Sequence, residues 1–426
     1  MPAGPLARYL LPDSSSVDAD GQLRVGGVRL VDLAATYGTP LFVYDEAHLR
    51  ARCREAIAAF GEGQVVFASK AFLCKAMARL AHEEGVRLDV ASGGELSVAL
   101  AAGVPADRIT FHGNNKSMAE LRRALELGVH HLAVDSFDEL DRLDQLHREG
   151  LPVPNVLLRL TPGVHAHTHE FVSTGQDDSK FGFTVSTGAA HEAIERAARS
   201  ASIELVGLHC HIGSNVFRAE SFGEAVSVMA DVARPLDLPE LVLGGGLGVA
   251  YVEGEHAPSI TEWANHVLKA VAECGVRSKI SVEPGRALVA SAAVTLYEVG
   301  TMKDIPGVRR YVSVDGGMSD NPRPVMYGSG YEAFAPRAVD AERPLEARLV
   351  GKHCESGDVL IFDANLPADL VVGDIVATPV TGAYGFTMAS NYNRLPRPPV
   401  VFVADGKARV VVRRETEADM LATDVG

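Results

Sequence analysis

From about Val65 to Glu283 the chain alternates between short β-rich runs and longer stretches in which apolar residues recur at helical spacing. The runs are VVFAS (65–69), RLDVA (87–91), ITFHG (109–113), HLAVD (131–135), VLLRL (156–160), IELVGLHC (203–210), LVLG (241–244) and KISVE (279–283). The first four begin about 22 residues apart, room for one strand, one helix and two tight loops. Intervening segments such as CKAMARLAHEEG and MAELRRALELG have helical periodicity and end in glycine, a helix stop signal. Eight strands alternating with helices predict an α/β fold, a parallel (β/α)8 barrel of the TIM type. A doubly wound sheet is the competing arrangement. The fifth repeat is longer because it contains THEFVSTGQDDSKFG (168–182), a polar loop of the kind that lines a barrel's active-site face.

After Arg286 the texture changes. ALVASAAVTLYEVG, RRYVSVDGG, LEARLVG, DVLIFD, DIVATPV, PVVFVADG and ARVVVRR read as strands separated by turns, with little helix. The expected organisation is a barrel over residues 36–286 and a mostly-β domain over 287–426. The N-terminal segment 1–35 is expected to join the second domain, with QLRVGGVRLVDLA adding a strand.

Composition narrows the classes of function. The 426 residues are 47% hydrophobic, enough to bury a large core, which excludes a disordered chain. A net charge of -15 argues against a phosphate-backbone partner, so no nucleic acid is expected. No apolar run reaches the roughly 18 residues of a membrane helix, and the start, MPAGPLARYLLPDSSS, does not read as a signal peptide. The five cysteines are scattered, odd in number and without CxxC spacing, which suits a reducing cytoplasm rather than a disulfide framework.

Several polar residues follow predicted strands directly and would converge at the C-terminal mouth of a barrel: Lys70, His211 with Ser214, Gly244 to Gly246, and Glu283 with Arg286. A lysine there can hold an aldehyde cofactor as a Schiff base. Glycines let backbone N–H groups approach a phosphate, and Ser214 can add a hydroxyl donor. A glutamate can keep a pyridine nitrogen protonated, and an imidazole can cover the ring. Together these groups describe a site for pyridoxal 5'-phosphate.

YGTPLFVYD (37–45), FASKAFLC (67–74), HCHIGSN (209–215), GGGLGVAY (244–251), EPGR (283–286), DGGMSDNPRPVMYG (315–328), CESGD (354–358) and TGAYGFTMASNYN (381–393) occur in an order that resembles the diaminopimelate decarboxylases. These are fold-type III pyridoxal phosphate enzymes related to ornithine decarboxylase and alanine racemase, and the resemblance runs from about residue 20 to 415. It implies that fold, a TIM-like barrel plus a mostly-β C-terminal barrel domain, and pyridoxal phosphate as cofactor. The implied activity is decarboxylation of meso-2,6-diaminopimelate at its D-centre to L-lysine and CO2, the last step of lysine biosynthesis. The implied cofactor residues are Lys70, His211, Ser214, Gly246, Glu283, Pro284, Gly285, Arg286 and Tyr384. Arg286, Arg323, Tyr327, Glu355 and Tyr384 are implied to contact substrate, and Cys354 to return the proton as general acid. The resemblance further implies a homodimer, with Cys354 and its neighbours completing the partner's site.

Two arginines suit a substrate with two carboxylates, and Glu355 suits a distal ammonium. Decarboxylation of another basic or diamino acid is the alternative, followed by racemisation and by a non-catalytic cofactor-binding regulator. Racemases of this fold place arginine rather than a carboxylate on the pyridine nitrogen, so Glu283 favours decarboxylation. No metal is expected. HAHTH (165–169) lies in a loop, and alternation along HCH (209–211) turns Cys210 away from its two histidine neighbours. Two stretches depart from the family pattern: Gly351-Lys352-His353 precedes Cys354 where a proline is usual two residues earlier, and FDANLP (362–367) replaces a more charged run.

Overall fold

Four of the barrel's strand-to-helix turns are built from the same local instructions. Ser92, Ser117, Ser136 and Ser259 each precede a helix, and each hydroxyl accepts the backbone N–H three residues on. A glutamate stands at that third position every time. Glu120 and Glu262 reach back to the capping serine's own N–H and complete capping boxes, whereas Glu95 and Glu139 accept from Ala91 and Asp135, one residue earlier. Each such cap contributes about 1 kcal/mol and fixes where the strand-to-helix loop ends.

The computed structural model describes residues 3–164, 176–211, 213–217 and 220–426. His165, His167 and His169, and the first part of the 168–182 loop, fall outside the described residues. The chain forms two compact units, Arg52–Gly248 with Ala257–Ala287, and Met1–Ala51 with Val249–His256 and Leu288–Gly426.

The first unit is the expected barrel. Its strands are β1 Val66–Ala68, β2 Arg87–Val90, β3 Ile109–Phe111, β4 His131–Val134, β5 Asn155–Thr161, β6 Glu204–Cys210, β7 Glu240–Val242 and β8 Lys279–Ser281. Sequential neighbours pair in parallel throughout. The ring closes where Val65 pairs with Val282, and Ala68 donates its N–H to the Pro284 carbonyl at 3.2 Å. Closure brings the end of β1, which precedes Lys70, beside the end of β8, which precedes Glu283. Outside the strands, the single tryptophan, Trp263, is fully buried between Phe60 and Phe222, with ring centroids 4.9 and 5.5 Å away.

The second unit is mostly β. Its main sheet runs Val359–Leu366, Leu345–Val350, Arg309–Val314, Ala293–Ile305, Leu41–Asp45, Val400–Ala404 and Lys407–Val412, and Ile375–Pro379 also pairs with Ala293–Ile305. Two expectations change here. Leu41–Asp45, assigned to the barrel by the expected start at residue 36, pairs with Ala293–Ile305 and Val400–Ala404 instead. All five of its residues are buried, a pattern that fits a central strand of either domain. Conversely, Leu23–Val25 and Val28–Arg29 pair with each other and with Ser16–Val17 in a separate three-stranded sheet, and do not extend the main one. Leu288 and the residues after it are in the β unit, although Arg286–Val289 is a helical turn rather than the strand expected from ALVASAAV. Among the described residues no helix is long and apolar enough to cross a membrane.

Candidate active site

Lys70 sits in a single 3-10 turn, Ser69–Ala71, at the end of β1. Its neighbours Ser69 and Ala71 are buried while Lys70 itself is exposed, so the turn projects the amine at the barrel mouth. Two groups register its charge. The Glu95 carboxyl is raised above its ordinary value by burial and by Asp89, with Lys70 pulling the other way. The His211 imidazole is held well below its ordinary value by burial and then by the charges of Lys70 and Arg159. His211 is therefore neutral at pH 7. Its Nδ1 accepts the Gly245 N–H at 3.3 Å, which leaves the proton on Nε2.

Gly244, Gly245 and Gly246 follow β7. A Cβ on Gly244 would lie 2.6 Å from the Cys210 carbonyl oxygen, one on Gly245 2.1 Å from that of Glu283, and one on Gly246 2.2 Å from that of Gly213. Gly244 and Gly246 also have positive φ, 61° and 112°, so these two positions exclude other residues on both counts. The run is held by Glu283 N–H donating to the Gly244 carbonyl at 2.7 Å and Val216 N–H to that of Gly246 at 2.8 Å. The result is a side-chain-free backbone loop at the mouth, with Ser214 in the adjoining turn. Pro284 and Gly285 lie beside β1, where a Cβ on Gly285 would sit 3.1 Å from both Ala68 and Ala71. Arg286, also buried, opens the short helix Arg286–Val289.

Glu283 is the most deeply embedded member of the set. His112 Nε2 lies 2.8 Å from its Oε1, and His209 Nε2 lies 2.9 Å from its Oε2. Burial alone would raise this carboxyl, but the two imidazoles outweigh it and hold the group well below its ordinary value. Glu283 is thus an anion at the floor of the mouth. A lysine, a bare glycine loop, a neutral imidazole and a buried carboxylate are the donor set that an aldehyde-bearing, phosphorylated pyridine requires, so the residues fit pyridoxal phosphate.

Metal ligation fits less well. The ligand atoms of His112, His209 and Glu283 lie within 4.8 Å of one another, as do those of His130, His131 and Glu240. In the first group both carboxylate oxygens already accept hydrogen bonds. In the second, at the opposite end of the strands, Glu240 accepts from Arg87 at 2.9 Å and from Ser281. The Cys210 thiol is pushed up to about 12 by burial and behaves as a core residue.

The β unit carries the other expected residues. Arg323, 4% exposed, stacks on Tyr251 at 4.2 Å and donates to the Tyr331 hydroxyl at 2.5 Å. The preceding DGGMSDN run is a scaffold for it. Asp320 accepts the Gly317 N–H at 2.8 Å and the Tyr297 hydroxyl at 2.5 Å, and burial pushes its carboxyl up to about 7. Arg323 opens a short helix, Arg323–Tyr327, and Tyr327, half-buried, ends it. Tyr384 has φ of 59°, an uncommon conformation for an aromatic residue, in a turn pinned where the Tyr44 hydroxyl donates to the Gly382 carbonyl at 2.9 Å.

Cys354 and Glu355 are exposed. Their segment is anchored by Asp358, which accepts from Met318 N–H at 2.6 Å and His353 N–H at 2.9 Å. Asn393 Oδ1 accepts the Cys354 N–H at 3.1 Å. Both ring nitrogens of His353 are engaged, by Ser319 at 2.8 Å and Asn393 at 3.2 Å. The departure before Cys354 therefore supplies an anchor for the segment.

Sequence reasoning did not anticipate His112, Tyr251, Tyr331 or Asn393, and it weighed His209 only as a metal ligand. His112 carried the same signal as Lys70, a polar residue directly after a strand, within ITFHG.

Comparison with known proteins agrees with this arrangement. The pyridoxal binding domain of the pyridoxal-dependent decarboxylases matches residues 46–290. The diaminopimelate decarboxylase of Mycobacterium tuberculosis is 47% identical over 440 residues, covering 99% of this chain and 98% of that one. That of Bacillus subtilis is 47% identical over 433 residues, covering 97% and 98%. The crystal structure of the M. jannaschii diaminopimelate decarboxylase in complex with L-lysine superposes with a TM-score of 0.89 at 32% identity, covering 97% and 98%. A closed parallel barrel with Lys70 and Glu283 at adjoining strand ends, and full-length likeness of this degree, lead to one conclusion: the chain belongs to the diaminopimelate decarboxylases, pyridoxal phosphate-dependent carboxy-lyases.

Proposed function

We propose that this chain converts meso-2,6-diaminopimelate to L-lysine and CO2, with its own residues dividing the work as follows. When bound, the cofactor supplies an electron sink for the pair left behind as CO2 departs. Lys70 would hold its aldehyde carbon. The Gly244–Gly246 loop and Ser214 would offer hydrogen-bond donors to its phosphate, beside Pro284 and Gly285, and His211 would support the ring. Glu283 would hold a proton at the pyridine nitrogen, and this buried carboxylate, met by His112 at 2.8 Å and His209 at 2.9 Å, is the observation that carries the reading. Racemisation is better served by a weaker sink.

Arg286 and Arg323 bind substrate carboxylates, with Tyr327 and Tyr384 beside them, and Tyr384 also meets the cofactor. Glu355 binds the distal ammonium, and Cys354 delivers a proton to the carbon that lost CO2. Net consumption of one proton per CO2 matches one acid acting on one carbon. The exposure of Cys354 and Glu355 supports their use across a homodimer interface. Exposed Val325 (43%) and Met326 (48%) add apolar surface to the Arg323–Tyr327 helix, which supports the same arrangement. Five cysteines without a disulfide support a reducing, cytoplasmic setting.

Substrate choice is tested at Glu355. Losing its hydrogen bond to a charged group in Glu355→Ala should raise KM for meso-diaminopimelate about tenfold or more, with a smaller change in kcat. An unchanged KM would move recognition of the distal ammonium to another residue.

A further inference from the structure

Glu283 is gripped from two sides by residues of separate strands. His112 follows β3, His209 is the penultimate residue of β6, and Glu283 follows β8, so only closure of the barrel assembles the trio. The rings meet edge to face at 4.8 Å, and His112, His209 and Glu283 are all buried, at 6%, 1% and 7% exposure. Each imidazole takes one carboxylate oxygen, which removes rotational freedom from the group.

The two histidines are not equivalent. His112 faces Glu283 and also the buried Asp89 of β2, whose negative charges together hold its imidazole above the ordinary value against burial and Arg159. His209 faces Glu283, His112 and Arg159, and burial takes it below the ordinary value. Its Nδ1 is buried and has no hydrogen-bond partner, so a second proton there would be stranded away from any acceptor. The trio therefore biases His112 toward its cationic form beside an anionic Glu283, while His209 stays neutral and donates from Nε2.

We infer that His112 and His209 are positioning residues of the decarboxylation, forming an asymmetric clamp in which both fix the Glu283 carboxylate, one oxygen each, and His112, flanked by Asp89 as well, is its main charged partner. This rests on the reading that Glu283 meets the cofactor nitrogen. Without the His112 charge, burial acts on Glu283 with less opposition and its carboxyl titrates upward. Glu283 would then be less able to hold a proton at the pyridine nitrogen, and the electron sink that the cofactor supplies would weaken.

The test uses the purified holoenzyme and two variants that each retain a side-chain donor, His112→Gln and His209→Gln. His112→Gln is expected to make the visible cofactor band pH-dependent where the wild type is flat. It should also lower kcat per bound cofactor at least tenfold, with little change in KM. His209→Gln, which replaces one neutral donor by another, is expected to leave the band pH-independent and to lower kcat by a smaller factor. A flat band and equal kcat losses in both variants would overturn the asymmetry. A loss of cofactor occupancy with kcat per bound cofactor unchanged would reduce both histidines to structural roles and overturn the clamp. Glu283→Gln separates the two levels of the argument. If it keeps wild-type spectrum and turnover, the underlying assignment of Glu283 fails; if it is impaired while His112→Gln is not, only the clamp fails.

Discussion

Lys70→Ala should purify without covalently held cofactor and without measurable CO2 release from meso-diaminopimelate. The argument is geometric. Lys70 occupies the turn after β1, at the seam where the barrel closes on β8, and the backbone there is fixed by the hydrogen bond from Ala68 to Pro284. A substitution of this exposed side chain should leave the fold intact, because its buried neighbours Ser69 and Ala71 are untouched. Borohydride treatment of the wild type, followed by unfolding and peptide mapping, should find the pyridoxyl group on the peptide containing Lys70. The variant should carry none, and turnover should fall by several orders of magnitude, since covalent attachment and orientation are lost together. A pyridoxyl group fixed by borohydride on another lysine of the Lys70→Ala chain, with turnover retained, would place the attachment elsewhere and refute the assignment.

Cys354→Ala is expected to have the second largest effect. Loss of CO2 leaves an electron pair that must take a proton at carbon, and a positioned acid contributes about a hundredfold to ten-thousandfold to such a step. The variant should keep cofactor and its spectrum while lysine formation falls by that factor. Cys354 is exposed on its own chain, in a segment held by Asp358 and Asn393, which suits a group that serves the neighbouring copy. Mixing unfolded Lys70→Ala and Cys354→Ala chains and refolding them together should therefore restore part of the activity, because a mixed dimer contains one site with both residues intact. Full activity of Cys354→Ala would remove its role as acid. An inactive mixed dimer alongside a refolded, active wild-type control would mean that sites are not shared.

The barrel was legible because its signals are local. Strand runs, helical periodicity and glycine stops all act within about 20 residues, and the resulting strands match the structure closely. Lys70 and Glu283 were legible for the same reason, as polar residues at strand ends. Leu41–Asp45 was not. Five buried residues in a row suit a barrel strand as well as a central sheet strand, and the partners that decide the matter, Ala293–Ile305 and Val400–Ala404, lie hundreds of residues away. The imidazole clamp escaped for a related reason. His112 and His209 stand in runs nearly a hundred residues apart, and their shared partner Glu283 meets them only once the barrel is closed. The aromatic support of Arg323 by Tyr251 depends in the same way on a short segment, Val249–His256, that joins the β unit.

The most direct test of the account is a CO2-release assay with product identification, comparing meso-diaminopimelate with L-lysine, L-ornithine and L-arginine. The account predicts CO2 and L-lysine in equal amounts from meso-diaminopimelate, and far slower release from the three amino acids that lack a second carboxylate. Equal or faster CO2 release from lysine or ornithine, or epimerised diaminopimelate without CO2, would contradict it.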